Sequence, residues 1–236
     1  DLVTGVQTCA LPISREKDSV IKGAGSLVGI PLPCVRVTIM PVKDSPLGDY
    51  PEGYTGLDSG EVGEICVSGP MVTDGYHRMP GATCDARFKI GDEPCHRMGD
   101  LGYFDAAGNL RFLGRKAERV MTESGPLETD RIEPLVNTLA CVRRCALIGI
   151  GDRNPREPCL VVEPECSHLR AMGESDARKE ILRALEGLEG AAGIARIFFE
   201  RRIPVDARHN AKIHRLSLSR KWSARVSKRP DLGLLA

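Results

Sequence analysis

Three segments of this chain hold side chains whose types and spacing are suited to chemistry. The first is Gly60-Glu-Val-Gly-Glu-Ile-Cys-Val-Ser-Gly-Pro70, with Gly75-Tyr76 just beyond it. The second is Arg97-Met-Gly-Asp-Leu-Gly-Tyr-Phe-Asp105, followed by Gly114-Arg115. The third is His209-Asn-Ala-Lys-Ile-His-Arg215. Asp100 offers two acceptor oxygens, Arg115 a planar fork of donors, and Lys212 a compact charge on a flexible stem. Such groups suit a polyoxygen ligand. Each also has an ordinary reading: a hairpin-edge turn for Asp100, a surface arginine for Arg115, a solvated charge for Lys212. Metal chemistry has weaker support. The nine cysteines include no CxxC pair, and Cys141 and Cys145 lack a second pair or a nearby His to complete a zinc spacing. Reduced thiols that fill core positions, in a cytoplasmic protein, are the expectation.

The elements that must position these residues are predicted from local patterns. Val35, Val37 and Ile39 alternate with Arg36, Thr38 and Met40, which predicts a strand with one buried face. Asp44 to Gly60 is rich in Pro, Gly and Asp and predicts a loop. Gly63–Gly69 predicts a strand and Ala82–Phe88 a short helix. Met98–Phe104, the turn Asp105-Ala-Ala-Gly108, and Asn109–Leu113 predict a hairpin. Beyond Gly114 the pattern changes. Thr129 is placed to cap a helix that presents Ile132, Leu135, Val136 and Leu139 on one face. Cys145–Ile150, Cys159–Val162 and Ile194–Phe199 predict strands. Ser175–Leu188 predicts an amphipathic helix capped by Ser175 or Asp176, and Ile213–Val226 a terminal helix. The fold class predicted is mixed α/β, mostly β before about Lys116 and α+β after it.

Composition bounds the function. The 236 residues are 42% hydrophobic and 28% charged, which is globular rather than disordered. No apolar run approaches the roughly 18 residues of a membrane span. A formal charge of +1 argues against a nucleic-acid binder working by bulk charge. That mean hides an asymmetry: Arg196 to Arg229 holds eleven Lys/Arg against Glu200 and Asp206. A solvated face is the ordinary reading of such a stretch. At the other end, Val3 to Ile13 matches a translated sequencing-adapter string, so residues 1–14 are expected to be an artefact and Cys9 to have no biological role.

In this order and spacing the three segments resemble the adenylate-forming superfamily of acyl-CoA synthetases, luciferases and peptide-synthetase adenylation domains. The resemblance runs from about Gly23 to Trp222. It implies that residues 15–115 are the end of a large AMP-binding domain, a β-rich remnant of its β-barrel. Residues 116–226 would then be the small α+β lid domain, and 227–236 a tail. It further implies that Asp100 accepts hydrogen bonds from both ribose hydroxyls of ATP and that Arg115 contacts ribose or phosphate. Phe112 falls where the family often places an aromatic beside the nucleotide, and a strand-core role is equally open for it. Lys212 matches the catalytic lysine that bridges the carboxylate oxygen and the α-phosphate, offsetting charge that builds in the transition state. Asn210 matches the Asn of the family's Asn-Gly-Lys pattern, with Ala211 in place of Gly. Ala117 falls on the hinge position, where Asp or Lys is usual. Ser124-Gly125 match a hairpin in which Pro126-Leu127 replace a His/Arg-type pair.

Within the superfamily, His96-Arg-Met-Gly-Asp-Leu-Gly-Tyr, Gly114-Arg-Lys-Ala, Ser124-Gly-Pro-Leu and Pro204-Val-Asp-Ala-Arg-His-Asn-Ala-Lys-Ile look most like the olefin-biosynthesis β-lactone synthetases. That implies a long-chain 2-alkyl-3-hydroxy acid as substrate, ATP and Mg²⁺ as co-reactant and cofactor, and an intramolecular attack that needs no CoA. The alternative is a fatty acyl-CoA synthetase using CoA; a further one is an interaction module without activity. The phosphate loop and the Mg²⁺ ligand of the family are expected upstream, so the chain alone is expected to be inactive. Small molecules are the expected partners, with room for association with other enzymes of olefin formation.

Overall fold

A computed structural model describes residues 6, 7, 19, 22–206 and 212–234. The chain divides into two compact units, with the passage between them at Ala117–Glu118. The artefact expected at residues 1–14 lies almost wholly outside the described residues.

The first unit is a seven-stranded sheet in the order β1-β2-β7-β6-β4-β3, with β5 added on β6. Its strands are β1 (Val6–Gln7), β2 (Ser26–Pro31), β3 (Arg36–Met40), β4 (Gly63–Ser68), β5 (Arg87–Ile90), β6 (Glu93–Phe104) and β7 (Leu110–Arg115), all antiparallel. A short helix, α1 (Pro80–Ala86), precedes β5. The β6–β7 hairpin forms as its turn chemistry predicts. Asp105 Oδ1 accepts hydrogen bonds from Ala107 N at 3.0 Å and Asn109 N at 2.9 Å, and Gly108 takes a positive φ of 79°.

Strand β3 departs from its predicted one-sided alternation. Thr38, Ile39 and Met40 are all buried, because both faces of the sheet are covered there. Ile39 packs with Ile65 and Leu110, while Met40 packs on the other face with Leu47, Cys66, Phe88, Ile90 and Cys95. The segment after Asp44 is a loop as predicted, and it closes the second face with Leu47, Tyr50 and Tyr54.

The second unit is a three-layer sandwich. Its central sheet has the order β10-β11-β12: β10 (Val142–Ile150) runs antiparallel to β11 (Glu157–Pro164), which runs parallel to β12 (Arg196–Phe199). On one face Cys145, Leu147, Leu160, Val162 and Ile197 pack with Ile132, Leu135 and Val136 of α2 (Thr129–Val136) and with Ala177, Ile181 and Leu185. On the other, Ala146, Ile148, Val161 and Phe198 meet Leu218 and Trp222. Burial on both faces explains why these strands read as continuous apolar runs.

Three predicted details are corrected. Thr129 lies inside α2, which starts after Glu128. The amphipathic helix starts after Gly173 rather than at a Ser175 or Asp176 cap; it comes after α3 (Cys166–Met172), which the sequence did not signal, as α4 (Glu174–Leu185). The terminal helix α5 spans Arg215–Lys228, two residues later at each end than predicted; beyond it Arg196 Nη1 donates to the carbonyls of Pro230 and Leu232, and Ile197 N to that of Gly233. Residues 22–24 belong with this unit, where Arg131 Nη1 donates to Gly23 O at 3.4 Å.

Candidate active site

Asp100 is re-aimed by irregularities in both ladders of β6. On one side Ile65 pairs with Asp100 and Cys66 with Arg97, leaving Met98 and Gly99 as extra residues. Gly99 takes a φ of 69°, a left-handed conformation that glycine adopts without steric cost. On the other side Leu101 pairs with Gly114 and Gly102 with Phe112, leaving Leu113 extra. Bulges of this kind turn a side chain out of the regular pleat. Asp100 stands opposite Arg115, and Arg115 Nη1 lies 2.9 Å from Asp100 Oδ1. The carboxylate is 17% exposed and the guanidinium 59%. An ion pair this open contributes about 0–1 kcal/mol.

Phe112 is half-buried against Ile39, Ile65 and Leu110.

A buried ionic cluster stands behind this strand. Arg97 donates to Glu64 Oε2 at 2.6 and 3.2 Å and to the carbonyls of Lys43, Ser45 and Asp85 at 2.6, 2.9 and 3.0 Å. Lys116 Nζ reaches the same Glu64 oxygen at 3.3 Å and Lys43 O at 2.9 Å. One carboxylate thus meets two cations, and Arg97 ties the loop at 43–45 and the end of α1 to the sheet. Both Arg97 and Glu64 lie inside the sequence motifs, yet sequence reasoning assigned neither a role. The signal was there: a charge inside a strand between apolar neighbours must be paired when buried. Next to Arg97, burial pulls the His96 imidazole below its usual pKa; the Arg87 charge adds to this, and a hydrogen bond to Ala86 O opposes it.

In the second unit, Lys212 is exposed, next to the bridged residue Ile213. Its carbonyl accepts a hydrogen bond from Asp206 N at 2.8 Å, Val205 bridges Ile213, and His214 N donates to Pro204 O at 3.0 Å. Asn210 and Ala211 lie outside the described residues. Ala117 is exposed in the middle of a single 3₁₀ turn, Lys116–Glu118. Ser124-Gly125 stand at the turn and second strand of a hairpin of β8 (Val120–Thr122) and β9 (Gly125–Leu127). In that hairpin Pro126 is exposed and Leu127 is buried in the core.

Among the described cysteines, Cys66, Cys95, Cys141, Cys145 and Cys159 are buried, and burial pushes each thiol above its usual pKa. Cys34, Cys84 and Cys166 are exposed, which corrects the expectation that every cysteine fills core. Among the described residues no group of three or more His, Cys, Asp or Glu is placed to hold a metal ion, and no helix is long and apolar enough to cross a membrane.

The fold is that of adenylate-forming ligases. It superimposes on the amide bond synthetase McbA from Marinactinospora thermotolerans with a TM-score of 0.64 and 26% identity, covering 83% of this chain and 36% of that one. ATP-bound MatB from Rhodopseudomonas palustris gives a TM-score of 0.64 at 24% identity over 84% of this chain and 36% of the other. More specifically, the chain is homologous to olefin beta-lactone synthetase: it is 42% identical over 223 residues to that of Stenotrophomonas maltophilia, covering 92% of this chain and 40% of the relative. The chain therefore spans about two fifths of the length of that curated relative. No family model matches the sequence.

Proposed function

We propose that this chain is the C-terminal part of an ATP-dependent ligase that activates a long-chain 2-alkyl-3-hydroxy acid as its acyl-adenylate and closes it to a β-lactone. The observation that carries the reading is the open Asp100–Arg115 pair on a bulged strand, in a chain 42% identical to olefin beta-lactone synthetase. In the first step the substrate carboxylate attacks the α-phosphorus of ATP and pyrophosphate leaves. Asp100 accepts hydrogen bonds from the ribose hydroxyls, with Arg115 beside it. Lys212 bridges the carboxylate oxygen and the α-phosphate, where its charge offsets what accumulates in the transition state. In the second step the β-hydroxyl oxygen attacks the acyl carbon, gives up its proton, and AMP departs. The nucleophile is already on the substrate, which supplies the proximity that a second substrate would otherwise have to gain by binding.

Mg²⁺ would neutralise phosphate charge. The described residues provide no cluster for it, so no step here runs through it. Ala117 is proposed as the hinge, a reading supported by its exposure in the 3₁₀ turn where one unit gives way to the next. A cytoplasmic location is part of the same proposal.

The test is product analysis of the enzyme that includes the upstream sequence, given ATP and a 2-alkyl-3-hydroxy acid with and without CoA. β-Lactone and AMP without CoA are expected. Thioester formation that requires CoA, with no lactone, would instead support a fatty acyl-CoA synthetase. The present chain alone is expected to show no pyrophosphate exchange.

A further inference from the structure

Helix α5 begins with a cation where an acid would be favoured. Arg215 is its first residue, its first turn holds no Asp or Glu, and His214 before it makes no side-chain cap. The positive end of the helix dipole disfavours a guanidinium there. Local sequence preference therefore does not explain why the helix starts at this residue.

Long-range contacts do. Arg215 Nε and Nη2 grip both oxygens of Glu133 at 3.2 and 2.7 Å, and Nη1 meets Glu118 Oε2 at 2.6 Å. Glu133 is itself fixed, since its Oε1 accepts the Leu147 amide of β10 at 2.8 Å. One carboxylate thus joins α2, the central sheet and the start of α5. Three residues before Arg215 stands Lys212, whose carbonyl closes the loop stem on Asp206 N.

We propose that Arg215 is a positioning residue for Lys212. By locking the first residue of α5 to Glu133 and Glu118, it fixes the stem from which the lysine is presented. Glu118 is also the first residue after Ala117, so the same clamp ties the start of the second unit to the stem that carries Lys212. The inference rests on the reading of Lys212 as the catalytic lysine. The clamp itself can be tested apart from it.

The test uses the full 236-residue chain as wild type, Arg215→Met, Arg215→Lys and, as a control for lost core packing, Leu185→Ala. Amide hydrogen exchange is read by NMR at Asp206 and His214, in the loop stem, and at Val161 in the central sheet. Arg215→Met, which strands the Glu133 carboxylate, is expected to lower protection at Val161 along with the stability of the unit and to lower stem protection at least tenfold further. Arg215→Lys, which keeps the charge but loses the fork, should fall between. Leu185→Ala should leave the ratio of stem to sheet protection unchanged. Stem protection at the wild-type level in Arg215→Met, or loss in the same ratio at stem and sheet, would overturn the proposal. In the enzyme with its upstream sequence, Arg215→Lys should lower kcat for adenylation with the KM for ATP held within twofold. Full activity of Lys212→Ala there would remove the functional reading and leave the exchange result standing.

Discussion

Asp100 and Arg115 face each other across the β6–β7 ladder, and their charged groups meet at 2.9 Å. Because Arg115 is mostly exposed, the pair does little for stability. Arg115→Ala and Asp100→Asn are therefore expected to leave the melting temperature of the chain nearly unchanged. In the enzyme with its upstream sequence, Asp100→Ala should raise the KM for ATP by roughly 10- to 100-fold, the value of a lost charged hydrogen bond. Lys212→Ala should instead lower adenylation by about 10²–10³-fold. Steady-state kinetics set beside thermal melts check both, and a large stability loss in Arg115→Ala would contradict the open-pair reading.

Arg97 should behave in the opposite way. Its guanidinium is 5% exposed and its partner Glu64 2%. Removing one member of a buried pair strands the other, at a cost of about 3–5 kcal/mol. Arg97→Met is expected to lower the urea midpoint of the first unit steeply. The chain's one tryptophan, Trp222, is stacked on Phe198 in the second unit at 4.1 Å between ring centroids. Its fluorescence transition should not move in Arg97→Met, whereas circular dichroism, which sees both units, should become biphasic.

Trp222 itself is central to the second unit. It is buried at the sheet face, with Arg225 over its ring at 4.7 Å. Trp222→Ala should cost about 3–5 kcal/mol. Hydrogen exchange at Val161 reports it directly: protection there should fall with that loss, and unchanged protection would show that the helix contributes little to the sheet.

His96 makes the first unit sensitive to mild acid. Burial holds its pKa below the unfolded value of about 6.5, so the unfolded chain takes up the proton first. The stability this gives is complete above that value and is lost as pH falls through the lower, folded pKa. Urea midpoints measured from neutral pH downward should decline in this window for wild type and less so for His96→Asn. An imidazole that titrates in the folded chain at or above the unfolded value would refute the assignment.

The thiols should separate into two classes. In a Cys9→Ser variant, Cys34, Cys84 and Cys166 should react quickly with a thiol reagent. The five buried thiols, neutral as well as inaccessible, should react only on denaturation. Mass spectrometry of the labelled native chain counts them.

The sequence by itself determined a good deal. The turn chemistry of Asp105 to Asn109 and the apolar runs of β10, β11 and β12 were readable, because each is a local pattern of few residues. The bulges beside Asp100 were not, since a bulge exists only relative to the register of a partner strand. The burial of Arg97 and Glu64 was equally hidden: each lies in a strand that reads as ordinary until the loop at 43–45 folds over it. Helix starts were misread for a related reason, because Glu128, Gly173 and His214 carry no capping side-chain bond. Tertiary structure alone decided where α5 begins, through an arginine that meets Glu133 82 residues away in the chain. A charge pattern tells which groups need partners. Only packing, which removes water from some of them and not others, selects which partners they find.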